Sequence, residues 1–348
     1  GIDIRLITGS TKKSESKKAK EREKSAPTTQ PHIQIGTHAL LYSQQKFEDL
    51  ALVIIDEQHR FGVEQRTQLL KSSSNGITPH LLTMTATPIP RTLALTLYGD
   101  LDISILREHP NKQRQIITKV VPTAKQMEIY KWIATQNLST FVVCPFIEES
   151  TAENLENVKA AKAEFEKLQK GPFKTKKCAL LHGKMSSQEK AEIIEKFRSG
   201  ETQILVSTPV IEVGIDVPDA DVMLIESAER YGLASLHQLR GRVGRGTKKG
   251  YCFVFPTMFS KKSYSRLKNL EETLDGLKLA EIDLKLRGQG DIYGTMQHGF
   301  LDFKLANVND LDFVRKVRED VNETANKIED LPLLQDWLKL QKGESGRN

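Results

Sequence analysis

Residues 50–59 read Leu50-Ala51-Leu52-Val53-Ile54-Ile55-Asp56-Glu57-Gln58-His59. The six apolar residues are too few for a helix and rich in aliphatic side chains, so they predict a buried parallel strand. Asp56 and Glu57 then stand at its carboxyl end, where open α/β sheets bind their ligands. An acidic pair there suits nucleotide hydrolysis, because one carboxylate can hold Mg²⁺ while the next polarises the attacking water. Taken alone, an acidic pair after a strand is more often a solvated loop or a helix cap.

Similar short apolar runs recur along the chain and alternate with helical patterns. Six further runs predict strands at 81–84, 141–143, 178–181, 204–206, 222–225 and 251–255. Helices are predicted over 125–136 and 188–198. The second has a capping-box sequence at Ser186 and Glu189, and Gly200 follows its last turn. Alternating strands and helices predict parallel, doubly wound sheets.

Composition narrows the class of protein. The 348 residues carry 51 Lys and Arg against 45 Asp and Glu, a net charge of +6, which permits a polyanionic partner without requiring one. No apolar run approaches the roughly 20 residues of a membrane span. Cys144, Cys178 and Cys252 lack the spacing of a zinc site or a disulfide scaffold and indicate a reducing compartment.

Three charged stretches interrupt the α/β pattern. Residues 11–24 predict a solvated loop, with a DNA-backbone contact as the alternative. Residues 153–170 predict an exposed helical insertion, and 108–114 predict a linker. After about residue 260 the strand-like runs stop and helical sequence takes over.

Three more polar stretches follow predicted strands or lie between them. Thr85-Ala86-Thr87-Pro88 reads by itself as a strand-to-helix turn. Ser207-Thr208-Pro209-Val210-Ile211-Glu212-Val213-Gly214-Ile215-Asp216 fits either a phosphate and ribose contact or a turn with a short helix. Gln238-Leu239-Arg240-Gly241-Arg242-Val243-Gly244-Arg245-Gly246 spaces arginines with glycines, which favours phosphate binding over a solvated basic turn.

The four polar stretches, in this order, resemble motifs II, III, V and VI of superfamily 2 helicases. The run 56–63, the run 85–92 and Tyr98-Gly99-Asp100-Leu101-Asp102 are similar to the RecG family of bacterial branched-DNA helicases. Two later runs resemble that family's translocation motif: Leu284-Lys285-Leu286-Arg287-Gly288-Gln289-Gly290-Asp291 and Gly294-Thr295-Met296-Gln297-His298-Gly299. Family members often carry Pro where Gln289 stands.

The resemblance implies an α/β fold with two RecA-like parallel-sheet helicase domains, the first truncated at its N-terminus, and a mainly helical C-terminal region. The implied boundaries are 1–110 for the first domain, 111–260 for the second and 261–348 for the helical region with the translocation motif.

The resemblance also assigns roles to individual residues. Asp56 coordinates Mg²⁺, Glu57 activates the water, and Arg242 and Arg245 act as arginine fingers that complete the ATP site from the second domain. The implied nucleotide contacts are Gly214, Asp216 and Gln238, and the implied coupling residues are His59, Thr85 and Thr87. The implied DNA contacts are Gly9, Ser10, Gly36, Thr37, Thr208, Arg287 and Gln297.

A superfamily 2 helicase also needs a phosphate-cradling loop of the form G-x-x-x-x-G-K-[ST], which this sequence lacks. The chain begins with Gly1 rather than Met. We therefore expect a C-terminal portion of a longer protein, without the Walker A loop and the wedge domain. By itself this portion is expected to show little ATPase activity and weak, salt-sensitive DNA binding.

The function implied by the resemblance is the motor of an ATP-dependent DNA helicase that reverses forks and migrates Holliday junctions in recombination and repair. Its cofactors are ATP and Mg²⁺, and its partners are branched or duplex DNA and single-strand-binding protein. The chain is expected to act as a monomer in the bacterial cytoplasm, at the nucleoid. The alternatives are a catalytically inactive DNA-binding module and the motor of a transcription-repair coupling factor, which usually shows Asp-Glu-Glu-Gln at 56–59.

Overall fold

The structure, a computed structural model, describes residues 2–8, 32–41, 49–58, 61, 65, 69–70, 78–87, 102–106, 115–144, 155–209, 220–244, 249–257, 260–295, 311–325 and 327–344. They belong to two compact units, residues 1–86 and 87–348. The described strands are β1 (Ile4–Ile7), β2 (Ile33–Gly36), β3 (Leu52–Ile55), β4 (His80–Thr83), β5 (Ile116–Val120), β6 (Thr140–Val143), β7 (Cys178–Leu181), β8 (Ile204–Ser207), β9 (Val222–Glu226) and β10 (Gly250–Phe255). The described α-helices are α1 (Thr123–Thr135), α2 (Leu155–Lys170), α3 (Ser187–Arg198), α4 (Leu233–Arg240), α5 (Lys261–Glu272), α6 (Gly276–Thr295), α7 (Leu311–Ala325) and α8 (Pro332–Glu344).

The first unit holds two parallel strand pairs. β1 pairs with β2 from Ile4↔Ile33 to Ile7↔Gly36, and β3 pairs with β4 from Leu52↔His80 to Ile55↔Thr83. The strand predicted at 50–55 is therefore present, but the expectation that it is buried on both faces is wrong for the described residues. Side chains alternate between the two faces of a strand, so Val53 and Ile55 are buried while Leu52 and Ile54 are 51% and 57% exposed.

The second unit is built on one parallel sheet of six strands in the order β5-β10-β9-β6-β8-β7. Three of its four inner strands, β9, β6 and β8, are buried on both faces, as their unbroken apolar sequences predict. Two hydrophobic clusters flank the sheet, one containing Phe141 and Met223 and the other containing Val142 and Leu224. This arrangement confirms the predicted parallel-sheet α/β fold.

Helices α1 and α3 confirm the two predicted helices, and α3 begins with the predicted capping box. Ser186 Oγ accepts from the Glu189 amide at 3.2 Å, and the Glu189 carboxylate accepts from the Ser186 amide at 2.7 Å. These two bonds lower the pKa of Glu189. Gly200 follows the helix with a φ of +78°, a conformation that glycine adopts without strain.

Helix α2 corrects the prediction of an exposed insertion at 153–170. Ala161 and Leu168 are buried, and with Phe165 they pack in the cluster that also contains Phe173 and Ile204. The many charged residues of α2 lie on its other faces, where Lys167 pairs with Glu164 and Lys170 with Glu166. The many charged residues obscure an apolar stripe in the sequence, and this stripe makes the helix part of the core.

The described residues after 260 are mainly helical, as predicted, and α5 and α6 pack against α4. Leu267, Leu270 and Leu279 bury their side chains in the same cluster as Leu236 and Leu239. The charged stretch 11–24 and the linker predicted at 108–114 lie outside the described residues. All three cysteines are free thiols, and no helix within the described part of the chain is long and apolar enough to cross a membrane.

Candidate functional site

The predicted acidic pair stands directly after β3. Asp56 is exposed, and its Oδ1 accepts the Glu57 amide hydrogen at 2.8 Å. Glu57 is half-buried and has a left-handed backbone, with φ at +50°. A non-glycine residue rarely takes this conformation, and such strain clusters at functional positions.

A hydrogen-bonded turn ties this pair to the end of the neighbouring strand. The Gln58 amide donates to the Met84 carbonyl at 3.1 Å, and the Met84 amide donates to the Ile55 carbonyl at 2.8 Å. Thr85 therefore directly follows Met84, the residue that is hydrogen-bonded to the acidic turn. Gln58 is buried, and its Nε2 has no hydrogen-bond partner among the described residues. Sequence reasoning overlooked this amide.

The Gly36–Thr37 segment, predicted to contact DNA, lies at the end of β2 and leads into a contact with the segment that follows the acidic pair. His38 stacks on Phe61, with ring centroids 4.3 Å apart. The Thr37 side chain accepts from the Ala39 amide at 3.4 Å and so caps a short 3-10 turn. A Cβ on Gly36 would lie 2.6 Å from the Ile7 carbonyl oxygen, so close packing of β1 on β2 already requires this glycine.

In the second unit, Ser207 and Thr208 lie at the carboxyl end of β8. Both are fully buried; the Thr208 amide donates to the Leu181 carbonyl at 3.3 Å, and Ser207 Oγ donates to the Thr208 carbonyl at 2.7 Å. A DNA phosphate could reach the Thr208 hydroxyl only if neighbouring chain moved aside.

Helix α4 presents Gln238 and leads into Arg242. Gln238 Nε2 donates to Thr87 Oγ1 at 2.7 Å, so the structure brings together a predicted nucleotide contact and a predicted coupling residue. Arg242 lies in the turn after the helix and is half-buried. Gly244 follows with a φ of +69° and approaches the Gly250 Cα, so glycine is needed at this turn.

Arg240 corrects the interpretation of the whole arginine run as phosphate-directed. Its side chain is 2% exposed. Nη1 donates to the carbonyls of Leu270 and Thr273 at 2.7 and 2.9 Å, and Nη2 lies 2.9 Å from His237 Nδ1. The hydrogen bonds of this guanidinium therefore connect α4 to the C-terminal end of α5.

A second buried network, which the sequence did not reveal, fixes the other end of α4. Asp283 Oδ2 on α6 accepts the Leu233 amide at 3.2 Å, where the helix's own cap residue, Gly232, offers no side chain. Arg266 pairs with Asp283 at 3.3 Å and also donates to the Tyr231 and Glu229 carbonyls. In the sequence, the signal for this network is an aspartate within an apolar helix segment, because a buried carboxylate needs partners.

The remaining predicted residues divide into two groups. Arg287 lies on α6. The others are outside the described residues: Gly9, Ser10, His59, Gly214, Asp216, Arg245 and Gln297.

The donor set at 56–57 fits a magnesium–nucleotide complex. Mg²⁺ keeps most of its waters and binds proteins through one or two carboxylates plus substrate phosphates. The described residues contain no cluster of three or more metal-ligating side chains, which a dedicated protein cage would need. An exposed Asp56 at a strand end suits the phosphate-assisted kind of site.

Comparison with known families defines the class first. Residues 2–96 match the DEAD/DEAH box helicase family, and residues 124–247 match the helicase conserved C-terminal domain. Residues 273–342 match a third model, described as ATP-dependent DNA helicase RecG, domain 3, C-terminal. By these three matches the chain is similar to the RecG helicases over most of its length.

Individual relatives support this assignment over nearly the whole chain. ATP-dependent DNA helicase RecG of Aquifex aeolicus is 46% identical over 350 residues, covering 98% of this chain and 43% of the relative. The Synechocystis RecG is 44% identical and is covered to 42%. A solved structure of RecG bound to a three-way DNA junction matches with a TM-score of 0.66 and 40% identity, over 92% of this chain and 40% of that one. The chain thus spans under half the length of these relatives.

Proposed function

We propose that this chain provides the motor of an ATP-dependent DNA helicase that acts on branched DNA in recombination and repair. The observation that carries the proposal is the 46% identity to a RecG helicase over 98% of the chain. The Asp56–Glu57 pair at a parallel strand end agrees with it. A RecG structure in the comparison holds a three-way DNA junction, which suggests the substrate class.

The proposed chemistry is hydrolysis of ATP with Mg²⁺ as cofactor. Bound Mg²⁺ would neutralise charge on the phosphates, and Asp56 would hold it. Glu57 would orient and polarise the attacking water. Arg242 and Arg245 would neutralise charge on the γ-phosphate as the bond to it breaks. Gln238, Gly214 and Asp216 would contact the nucleotide.

The proposed coupling and DNA contacts follow the resemblance residue by residue. Coupling between nucleotide and DNA is assigned to His59, Thr85 and Thr87. Phosphate-backbone contacts are assigned to Gly9, Ser10, Gly36, Thr37, Thr208, Arg287 and Gln297. Contacts to the phosphate backbone are electrostatic and independent of base sequence, so the proposed DNA binding should weaken steeply as the salt concentration rises.

The proposed organisation has three parts, at 1–110, 111–260 and 261–348. The three family matches, at 2–96, 124–247 and 273–342, each fall within one part. We propose further that the protein works as a monomer at the bacterial nucleoid, with single-strand-binding protein as an additional partner.

The test is ATP turnover and unwinding by the protein that contains this chain, measured on a three-way junction and on linear duplex of equal length. We expect junction DNA to stimulate turnover more than duplex does, and Glu57→Gln to abolish turnover while nucleotide binding persists. Glu166→Gln, an exposed change on α2, is the matched control. Equal turnover by wild type and Glu57→Gln would contradict the proposal.

A further inference from the structure

The side chain of Gln58 has no role in the proposed motor, although it stands between Glu57 and His59. It is 6% exposed, and no other described polar residue of the first unit is as deeply buried. Its Nε2 is shielded from solvent and has no hydrogen-bond acceptor in the described part of the chain. An amide in this position has lost its hydrogen bonds to water without gaining others, so it destabilises the fold. Such donors are rare in folded proteins, which makes Gln58 a candidate for a role other than stability.

The backbone of Gln58 connects two segments that the proposed function uses. Its amide donates to the Met84 carbonyl at 3.1 Å, and Thr85, a proposed coupling residue, follows Met84 directly. On its other side, the Phe61 amide donates to the Gln58 carbonyl at 3.0 Å. This turn carries the Phe61 ring, which stacks on His38 just after the segment proposed to contact DNA. Gln58 therefore lies between the proposed DNA segment and the proposed coupling segment.

The depth of the Gln58 side chain decides which acceptor its amide can reach. A phosphate oxygen of ATP or DNA cannot contact Nε2 while the surrounding chain encloses it, and neither can solvent water. The acceptor must be a carbonyl or hydroxyl oxygen of the chain around it, brought within reach by a shift of that chain. The adjoining segments are those proposed to respond to nucleotide and DNA, so ligand binding is the event that would move them.

We infer that Gln58 is a positioning residue that couples DNA binding to ATP hydrolysis. Its amide is unpaired in this conformation and gains its acceptor when DNA and nucleotide are both bound. The free-energy cost of the unpaired donor is then relieved only in the bound conformation, so the amide favours that conformation. This inference deepens the proposed function and rests on it.

The test uses Gln58→Met in the protein that contains this chain. Methionine is unbranched and of similar length, so it fills the same space without a strong donor. Gln188→Met is the matched control, because it makes the same change at an exposed position on α3. There the Gln188 amide donates only to Glu192, at 3.2 Å, on the following turn.

The first readout is the melting temperature with and without ligands. Without ligands, Gln58→Met should melt about 2 °C above the wild type, because the unpaired donor is gone. The ligands are a non-hydrolysable ATP analogue with Mg²⁺ and a three-way DNA junction, added together at saturation. They should raise the melting temperature of Gln58→Met by about 2 °C less than that of the wild type. Gln188→Met should follow the wild type in both conditions.

The second readout is steady-state ATP turnover. With saturating junction DNA, Gln58→Met should lower kcat about fivefold or more, because the hydrogen bond that favours the coupled conformation is lost. Turnover without DNA and the KM for ATP should stay within about twofold of the wild type. A side chain that contacted the nucleotide directly would instead raise KM, and a purely structural one would lower turnover in both conditions.

Three results would overturn the inference. A Gln58→Met protein that fails to fold, or melts below the wild type without ligands, would mean that native contacts hold this amide. A ligand-induced rise in melting temperature equal to that of the wild type would mean that the amide gains no acceptor on binding. An unchanged kcat with junction DNA would mean that Gln58 does not couple the two sites. A wild type whose turnover no DNA stimulates would instead contradict the proposed function, before any variant is compared.

Discussion

Glu57 combines an unusual backbone with the position expected of a catalytic carboxylate. Its φ of +50° places a side chain with a Cβ where glycine is favoured, at a cost of roughly 1 kcal/mol. Two local bonds hold it there, from the Glu57 amide to Asp56 Oδ1 and from the Gln58 amide to the Met84 carbonyl. The turn thus holds Glu57 in this conformation directly after Asp56, at the expense of stability.

Comparing Glu57→Gly with Glu57→Ala separates the strain from the chemistry. Glycine relieves the left-handed strain, so we expect it to be more stable than alanine by about 1 kcal/mol in urea unfolding. Both should lose ATP turnover in the protein that contains this chain, because both lack the carboxylate. Greater stability of the alanine variant, or turnover retained by either, would show this account of Glu57 to be wrong.

Arg240 and Arg242 are two residues apart and have different tasks. Arg240 is buried and its forked guanidinium bonds two carbonyls of the α5 end, whereas Arg242 lies in the half-buried turn beyond α4. Lysine keeps the charge but cannot reproduce the fork, so Arg240→Lys leaves buried acceptors unpaired.

We therefore expect Arg240→Lys to lower the free energy of unfolding by about 2–4 kcal/mol. Arg242→Lys should change it by less than about 0.5 kcal/mol while reducing ATP turnover. Urea unfolding of both variants checks the first statement and steady-state kinetics the second. Similar stability losses in the two variants would contradict this division of tasks.

At the scale of elements, prediction from sequence succeeded where the apolar runs were unbroken. Inner strands such as β6 and β9 are buried on both faces, so nothing polar interrupts them. β5 was missed because Thr118 and Lys119 interrupt its pattern, although Ile116 and Val120 pack in the core. The charged residues of α2 likewise obscured its burial, because its apolar stripe becomes evident only from its packing against the sheet.

The candidate site shows the same limit. Strand ends located Asp56, Glu57 and Thr85, because parallel sheets bring their carboxyl ends together. The Asp283–Arg266 pair and the buried Arg240 depend on contacts between α4, α5 and α6, and no local pattern specifies which helices meet. The long-range partners of buried charged residues are therefore the feature of the site that could not be predicted from the sequence.

Helix α2 offers a direct check of its place in the core. Leu168 is 1% exposed and packs beside Phe173 and Ala161, so Leu168→Ala should lower the free energy of unfolding by about 2–5 kcal/mol. Glu166→Ala, two residues earlier on the solvent side, should change it by less than about 0.5 kcal/mol. Denaturant unfolding distinguishes them, and equal small effects would restore the interpretation of α2 as an exposed insertion.

At the scale of the whole molecule, the two units differ in how they cover their strands. The second unit has hydrophobic clusters on both faces of its six-stranded sheet. The described strands of the first unit form only two-stranded sheets, and seven of their aliphatic side chains are 44–62% exposed: Ile4, Leu6, Ile33, Ile35, Leu52, Ile54 and Leu82. Parallel sheets are stable when both faces are covered, and two-stranded sheets are marginal.

This difference predicts that the units fold with unequal independence. A piece spanning residues 102–348 should unfold cooperatively, within about 5 °C of the melting temperature of the 348-residue chain, because the six-stranded sheet and both clusters lie within it. A piece spanning residues 1–86 should bind an apolar dye such as ANS and show no cooperative transition, because seven aliphatic side chains of its described strands are exposed. Calorimetry and dye fluorescence on the two pieces and on the whole chain make the comparison. A cooperative, dye-silent 1–86 piece would mean that the first unit covers its own strands, and a non-cooperative 102–348 piece would mean that the six-stranded sheet depends on the first unit for its stability.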